Sequence, residues 1–254
     1  MSTGDDGFFV AWSDATPPAT AARTGAFVRL VLLLAIAVGV LSVVGQRRLE
    51  PATFEFGVVT SLEGRLATDP VPCLLVARPG SPGEVSRYPL VRPFKFGAAD
   101  DVAGLDGRRV RLDGSLVHRG GMTLVELVPG SIAVLDETTA PPGPAGEDLG
   151  VQTLVGEIVD SKCFLGVMNP GNLKPHKACA IRCISGGIPP VLLVRDTSGT
   201  STCLVLTDGE GRMVNDRVLG MVAEPVEITG RVRRLGDVLV LAADPDSYRP
   251  LAHP

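Results

Sequence analysis

Three of the chain's five cysteines and one of its three histidines fall within the 21 residues from Cys163 to Cys183. Cys163, His176, Cys179 and Cys183 form a Cys-x12-His-x2-Cys-x3-Cys set. One folded loop could aim these soft and borderline donors at a metal ion or redox centre. Cys179 and Cys183 stand at i and i+4, which on a helix puts both on one face and suits two ligands of one centre better than a disulfide between them. Asp160 and Met168 are further candidate ligands. The bland reading of each is a turn aspartate bonding its own backbone and a gap-filling methionine. Gly186 and Gly187 close the segment as loop-shaping residues.

The spacing matches no common zinc finger, Rieske or c-type haem pattern, so copper, zinc and an iron–sulfur centre all stay open, with haem ranked below them. In an oxidising compartment the same cysteines could instead form a disulfide that locks the loop, with Cys163 as one partner. A reactive thiol is the third reading, and Lys162, Lys174 and Lys177 within the segment offer positive charge that would tune it. Thioredoxin-like enzymes use CxxC after a strand, whereas this chain has CxxxC. No phosphate loop, HExxH, dinucleotide fingerprint or Ser-His-Asp order is present, which leaves classical hydrolase and nucleotide chemistry without support.

These residues must be positioned by an anchored chain. Residues 25–45 read GAFVRLVLLLAIAVGVLSVVG, long and apolar enough to span a bilayer, with Arg29 as the one charge near an end. A cleaved signal peptide is the alternative. However, the preceding tail (residues 1–24) is long and carries Asp5, Asp6 and Asp14, unlike a short basic leader. Arg23 and Arg29 on one side nearly balance Arg47 and Arg48 on the other, so the charge rule leaves orientation open. The remaining chain is close to neutral, which points away from nucleic acid and from an anionic membrane surface as partners. Arginine outnumbers lysine 20 to 4, which reads as GC-rich bacterial coding.

The soluble part repeats. Val102–Leu124 matches Val218–Val240 without a gap, with Gly104 on Gly220, Gly114 on Gly230 and Gly120 on Gly236. Alternating apolar residues on both sides of each glycine pair predict a long hairpin in each half. Upstream, Gly57-Val58-Val59 aligns with Gly156-Glu157-Ile158, and Pro72-Cys73-Leu74 with Pro190-Val191-Leu192. The expected fold is mainly β: two tandem OB-like barrels behind one transmembrane helix. The first spans residues 53–137, a Pro/Gly linker spans 138–150, and the second spans 151–245 before a C-terminal tail at 246–254. Short helices are expected at Lys174–Ser185 and Asp216–Val222. On this alignment the second copy carries about 19 extra residues between its first two strands, within a Cys/His insertion at 160–187. That makes the first copy a spacer or docking module. Cys73 and Cys203 fall in strands and read as small buried hydrophobes, or as a disulfide between the halves.

The motif Asp160-Ser161-x-Cys163, then His176, then Cys179-x3-Cys183, then Gly186 or Gly187, resembles bacterial membrane-anchored or exported proteins of unassigned function. The likeness covers about 40 of the 254 residues. It implies a single-pass inner-membrane protein with periplasmic barrels. A looser likeness in architecture is to the haem chaperones of cytochrome c maturation, but His118, at a hairpin turn, reads as a surface residue rather than a haem-attaching one. Together these readings lead to an accessory protein, not an enzyme, serving an inner-membrane respiratory or redox complex. A disulfide-locked structural subunit and a thiol–disulfide enzyme are the alternatives.

Overall fold

The computed structural model describes residues 16–46, 51–81, 83–136, 146–197 and 199–251. Helix α1, Pro18–Gln46, is apolar all round, and its Pro18–Gly45 portion, with mean hydropathy 2.7, is long and apolar enough to cross a membrane. It begins seven residues before the predicted span. Arg29 Nε donates to the Gly25 carbonyl at 3.0 Å, so this charge, one of two in the helix with Arg23, turns back along it.

Thirteen strands follow among the described residues. The first half holds β1 (Thr53–Phe54), β2 (Thr60–Ala67), β3 (Cys73–Ala77), β4 (Val85–Val91), β5 (Arg109–Arg119), β6 (Met122–Leu127) and β7 (Ala133–Asp136). The second holds β8 (Glu147–Asp160), β9 (Pro190–Arg195), β10 (Ser201–Thr207), β11 (Pro225–Leu235), β12 (Val238–Ala242) and β13 (Arg249–Pro250), with helix α2 (Leu173–Ser185) between β8 and β9. Each half closes a five-stranded barrel. The order β2-β3-β4-β6-β5 returns to β2, and β8-β9-β10-β12-β11 returns to β8. In both, every pairing of the ring is antiparallel except one, β4 with β6 and β10 with β12. The tandem OB-like reading is therefore what the chain folds into.

The repeat is visible residue by residue. Arg119 pairs Met122 around the Gly120 turn and Leu235 pairs Val238 around the Gly236 turn, and both glycines have positive φ, 56° and 64°. These two-residue turns need a residue that enters the left-handed region freely. Gly114 and Gly230 lie where a Cβ would meet backbone oxygen of the neighbouring strand, Glu126 O at 2.8 Å and Ala242 O at 2.6 Å. Such glycines let a strand bend tightly around a small barrel.

The upstream alignment needs correction. Arg65 pairs Leu75 as Glu157 pairs Leu193, so Gly64, not Gly57, is the counterpart of Gly156. Gly57 sits in the turn before β2 with φ 81°. The second connection is longer than the first by 26 residues (36 against 10), more than the 19 read from the sequence. The helix expected at Lys174–Ser185 is α2, and the one expected at Asp216–Val222 is a pair of single 3-10 turns, Asn215–Arg217 and Leu219–Met221.

Residues 138–145 of the expected linker lie outside the described residues, and its last four form the start of β8. The stretch read as a C-terminal tail carries β13, which pairs with β11.

Three apolar cores result. One fills each barrel, and a third lies between them, where Val91, Val117 and Leu124 of the first half pack with Val159, Leu165 and Val240 of the second. Burying a side chain of this size is worth about 1.5–3 kcal/mol. The barrels are thus joined by a shared seam, and the described residues from 51 to 251 form one compact unit. The 26-residue insertion folds into that seam.

Candidate metal centre

β8 runs into the seam and ends at Asp160, whose Oδ1 accepts the Cys163 amide at 2.8 Å. This is the backbone-bonding turn expected of such an aspartate. A short π-helical turn, Cys163–Val167, follows. Its Phe164 is clamped from the first barrel: Arg119 donates to the Phe164 carbonyl at 3.0 Å and lies over the Phe164 ring at 4.5 Å. α2 then carries His176, Cys179 and Cys183. Glu157 accepts a short hydrogen bond from the Leu173 amide at the first turn of α2, and burial pushes its carboxyl above the usual range. At the other end Gly186 caps the helix, its amide reaching the Arg182 and Cys183 carbonyls.

The structure brings three of the predicted donors together. The Sγ atoms of Cys163, Cys179 and Cys183 all lie within 4.8 Å of one another, and Cys163 and Cys183 are 3.8 Å apart. Cys163 and Cys183 are buried and Cys179 is partly exposed. No disulfide joins any of the five cysteines, and Cys73 and Cys203 take no part in the cluster. His176 enters a second group, Asp160–Cys163–His176, which shares Cys163 with the first. Its Nε2 lies 3.1 Å from Asp160 Oδ2, with both side chains buried. The Cys/His cluster could bind metal, and its thiols and its histidine belong to two overlapping triads rather than one four-donor set. Met168 is 45% exposed, unlike the thiols. His118 is part-exposed beside Glu55, as expected of a surface residue.

The first barrel completes the site. Lys95, in the loop after β4, donates to Cys179 Sγ at 2.8 Å and to Cys183 Sγ at 3.5 Å. Those sulfurs hold its ammonium protonated, raising its pKa, the hydrogen bond to Cys179 foremost. The Cys163–Cys183 pair divides its protons unevenly. Cys183 comes down to about 7, first through the hydrogen bond with Cys163 and then, against its burial, through Lys95. Cys163 is pushed up by the same hydrogen bond, by burial and by the Asp160 carboxylate. One protonated and one readily ionised thiol in contact form a dithiol ready to exchange protons for a cation.

The backbones are as tightly joined as the side chains. Gly97 N donates to Gly186 O at 2.9 Å. A Cβ on Gly186 would stand 1.9 Å from Lys95 O, and one on Gly97 would stand 2.1 Å from Gly187 O. Gly186 and Gly187 shape the loop as expected, and the reason is contact with the other barrel. The lysines within the segment serve other ends than the thiols. Lys177 and Lys174 pair with Glu224, at 2.7 and 3.6 Å. Lys162, 1% exposed, donates to the Arg92 and Phe94 carbonyls at 2.9 Å each and forms a close ion pair with Glu126. It thereby fixes the backbone that presents Lys95.

Sequence reasoning missed Lys95, Glu126, Arg119 and Gly97. The available signal was lysine rarity: of four lysines in an arginine-rich chain, Lys95 is the one outside the cysteine segment. No family model, curated protein or solved structure matches this chain.

Proposed function

We propose that the chain is a membrane-anchored accessory protein whose paired barrels hold a thiophilic metal or redox centre at their seam. In this reading the barrels are periplasmic and the centre serves an inner-membrane redox complex or its assembly. The observation that carries it is the convergence of three thiols from two separate elements beside a lysine from the other barrel. A cluster that only packed would not need an ammonium on its sulfurs. The enclosed Asp160, His176 and Cys163 suit holding a small ion better than turning over a bulky substrate, since their side chains are at most 3% exposed.

A second reading has its own support: the 3.8 Å Cys163–Cys183 approach and the lowered Cys183 pKa also fit a dithiol that cycles with a disulfide. Elemental analysis and thiol counting on full-length protein purified anaerobically in detergent separate the two. About one metal per chain, lost in Cys183→Ser, supports the centre. Metal-free protein that gains and loses two titratable thiols reversibly supports the redox pair and would remove the metal reading.

A further inference from the structure

We infer that the centre is built for copper(I) held by three thiolates, and that Lys95 sets this preference from the first barrel; the inference rests on the metal reading above. The donor count comes first. Three sulfurs converge, while His176, hydrogen-bonded to Asp160 at 3.1 Å, groups with Cys163 but not with Cys179 and Cys183. Zinc in protein-enclosed sites takes four donors in a tetrahedron, and a soft monovalent ion is content with thiolates alone. A fourth donor would have to approach a sulfur triangle that the Lys95 ammonium already borders, at 2.8 Å from Cys179 and 3.5 Å from Cys183.

Charge gives the same direction. Three thiolates with copper(I) carry two negative charges, and with zinc(II) one. The Lys95 ammonium is therefore attracted more strongly to the copper complex, by a full unit of charge at close range in a poorly screened seam. Its loss should weaken copper more than zinc. Access is from the Cys179 side, because Cys163 and Cys183 are 3% and 1% exposed whereas Cys179 is partly open. Copper(I) meets Cys179 first and passes inward. Each sulfur–copper bond replaces one S–H bond or adds to a thiolate that keeps its contact with Lys95, with protons released to solvent and no change in oxidation state.

The test uses full-length protein in detergent, reduced and anaerobic, titrated with copper(I) and separately with zinc(II) against a competing chelator of each ion. X-ray absorption then reads the coordination of the bound copper. The expected result is one copper with three sulfur and no nitrogen neighbours, an unchanged shell in His176→Ala, and a Lys95→Met variant that loses at least about tenfold more affinity for copper than for zinc. Lys95→Arg, which keeps the charge, should recover most of that loss. A nitrogen neighbour that disappears in His176→Ala, or equal weakening of both ions in Lys95→Met, would overturn the inference while leaving a metal site standing. Failure of the wild-type chain to bind either ion would instead overturn the metal reading itself.

Discussion

The two barrels share a topology and differ most at one connection, and the difference shows how a repeated scaffold divides its labour. Between β2 and β3 the first barrel turns within the five residues 68–72, tied by Thr68 to Asp106 at 2.8 Å. Between β8 and β9 the second barrel inserts the π-helical turn and α2, with all three clustered thiols. Yet the short-looped copy is more than a spacer, because it supplies Lys95 on the sulfurs, Glu126 on Lys162 and Arg119 on Phe164. The insertion holds its shape because the other copy grips it. The repeated barrel supplies both the loop's scaffold and its clamp.

Gly186→Val tests that grip most severely. Its side chain would collide with the Lys95 carbonyl, and a backbone atom cannot swing away as a side-chain tip can. A loss on the order of 3–5 kcal/mol in denaturant unfolding is expected, with the cluster's metal or dithiol behaviour abolished. Gly57→Ala, at a positive φ in open space of the first barrel, should cost only about 1 kcal/mol. Equal costs would mean that the seam is not the constraint.

Lys162→Met ranks with the large effects because it strands the half-buried Glu126 carboxylate and leaves the Arg92 and Phe94 carbonyls without their donor. About 3–5 kcal/mol should be lost, and the double variant Lys162→Met, Glu126→Leu should recover much of it. No recovery in the double variant would show that the two carbonyl bonds, rather than the ion pair, hold the Lys95 loop.

A smaller effect concerns Cys73, whose buried thiol donates to Val71 O at 3.0 Å and is pushed up to about 12, mainly by desolvation. Unfolding frees this thiol to ionise from about pH 9, so between pH 9 and 12 the unfolded state binds fewer protons and stability falls as pH rises. The slope from this group is at most about 1.4 kcal/mol per pH unit. Cys73→Ala should flatten the alkaline limb of a metal-free stability–pH curve by that amount, after its constant cavity cost. An unchanged limb would place the alkaline sensitivity elsewhere.

The smallest expected effect is at the surface. Arg231→Gln removes an exposed pair with Asp148 at 2.5 Å on the second barrel and should change stability by less than about 1 kcal/mol, with no change at the cluster. A larger response would tie the β8–β11 edge to the seam.

The hairpins, the barrel class and α2 were legible because periodicity and turn glycines are local signals. Gly120 and Gly236 announced equivalent turns, and the i, i+4 cysteines announced a shared helical face. The register of the first strand was not legible. Val59, set on Ile158, imitates its apolar character, while the true counterpart, Leu66, sits between polar Arg65 and small Ala67. Equally hidden was the partition of donors, since spacing cannot say that His176 turns to Asp160. The seam was invisible for a further reason: apolar runs such as Val191–Val194 announce strands covered on both faces, but only packing reveals what covers them. Lys95 and Cys179 are 84 positions apart, beyond the reach of any spacing rule.

That separation orders events in time. A chain made from its amino end completes β2 to β6 before Cys163 has been synthesised, and small domains tend to fold as units in the order they appear. The first barrel is therefore a finished template when the cysteine loop emerges, with Lys95 already on its rim. The loop is then expected to fold by settling onto that surface, bringing the three thiols together as it docks.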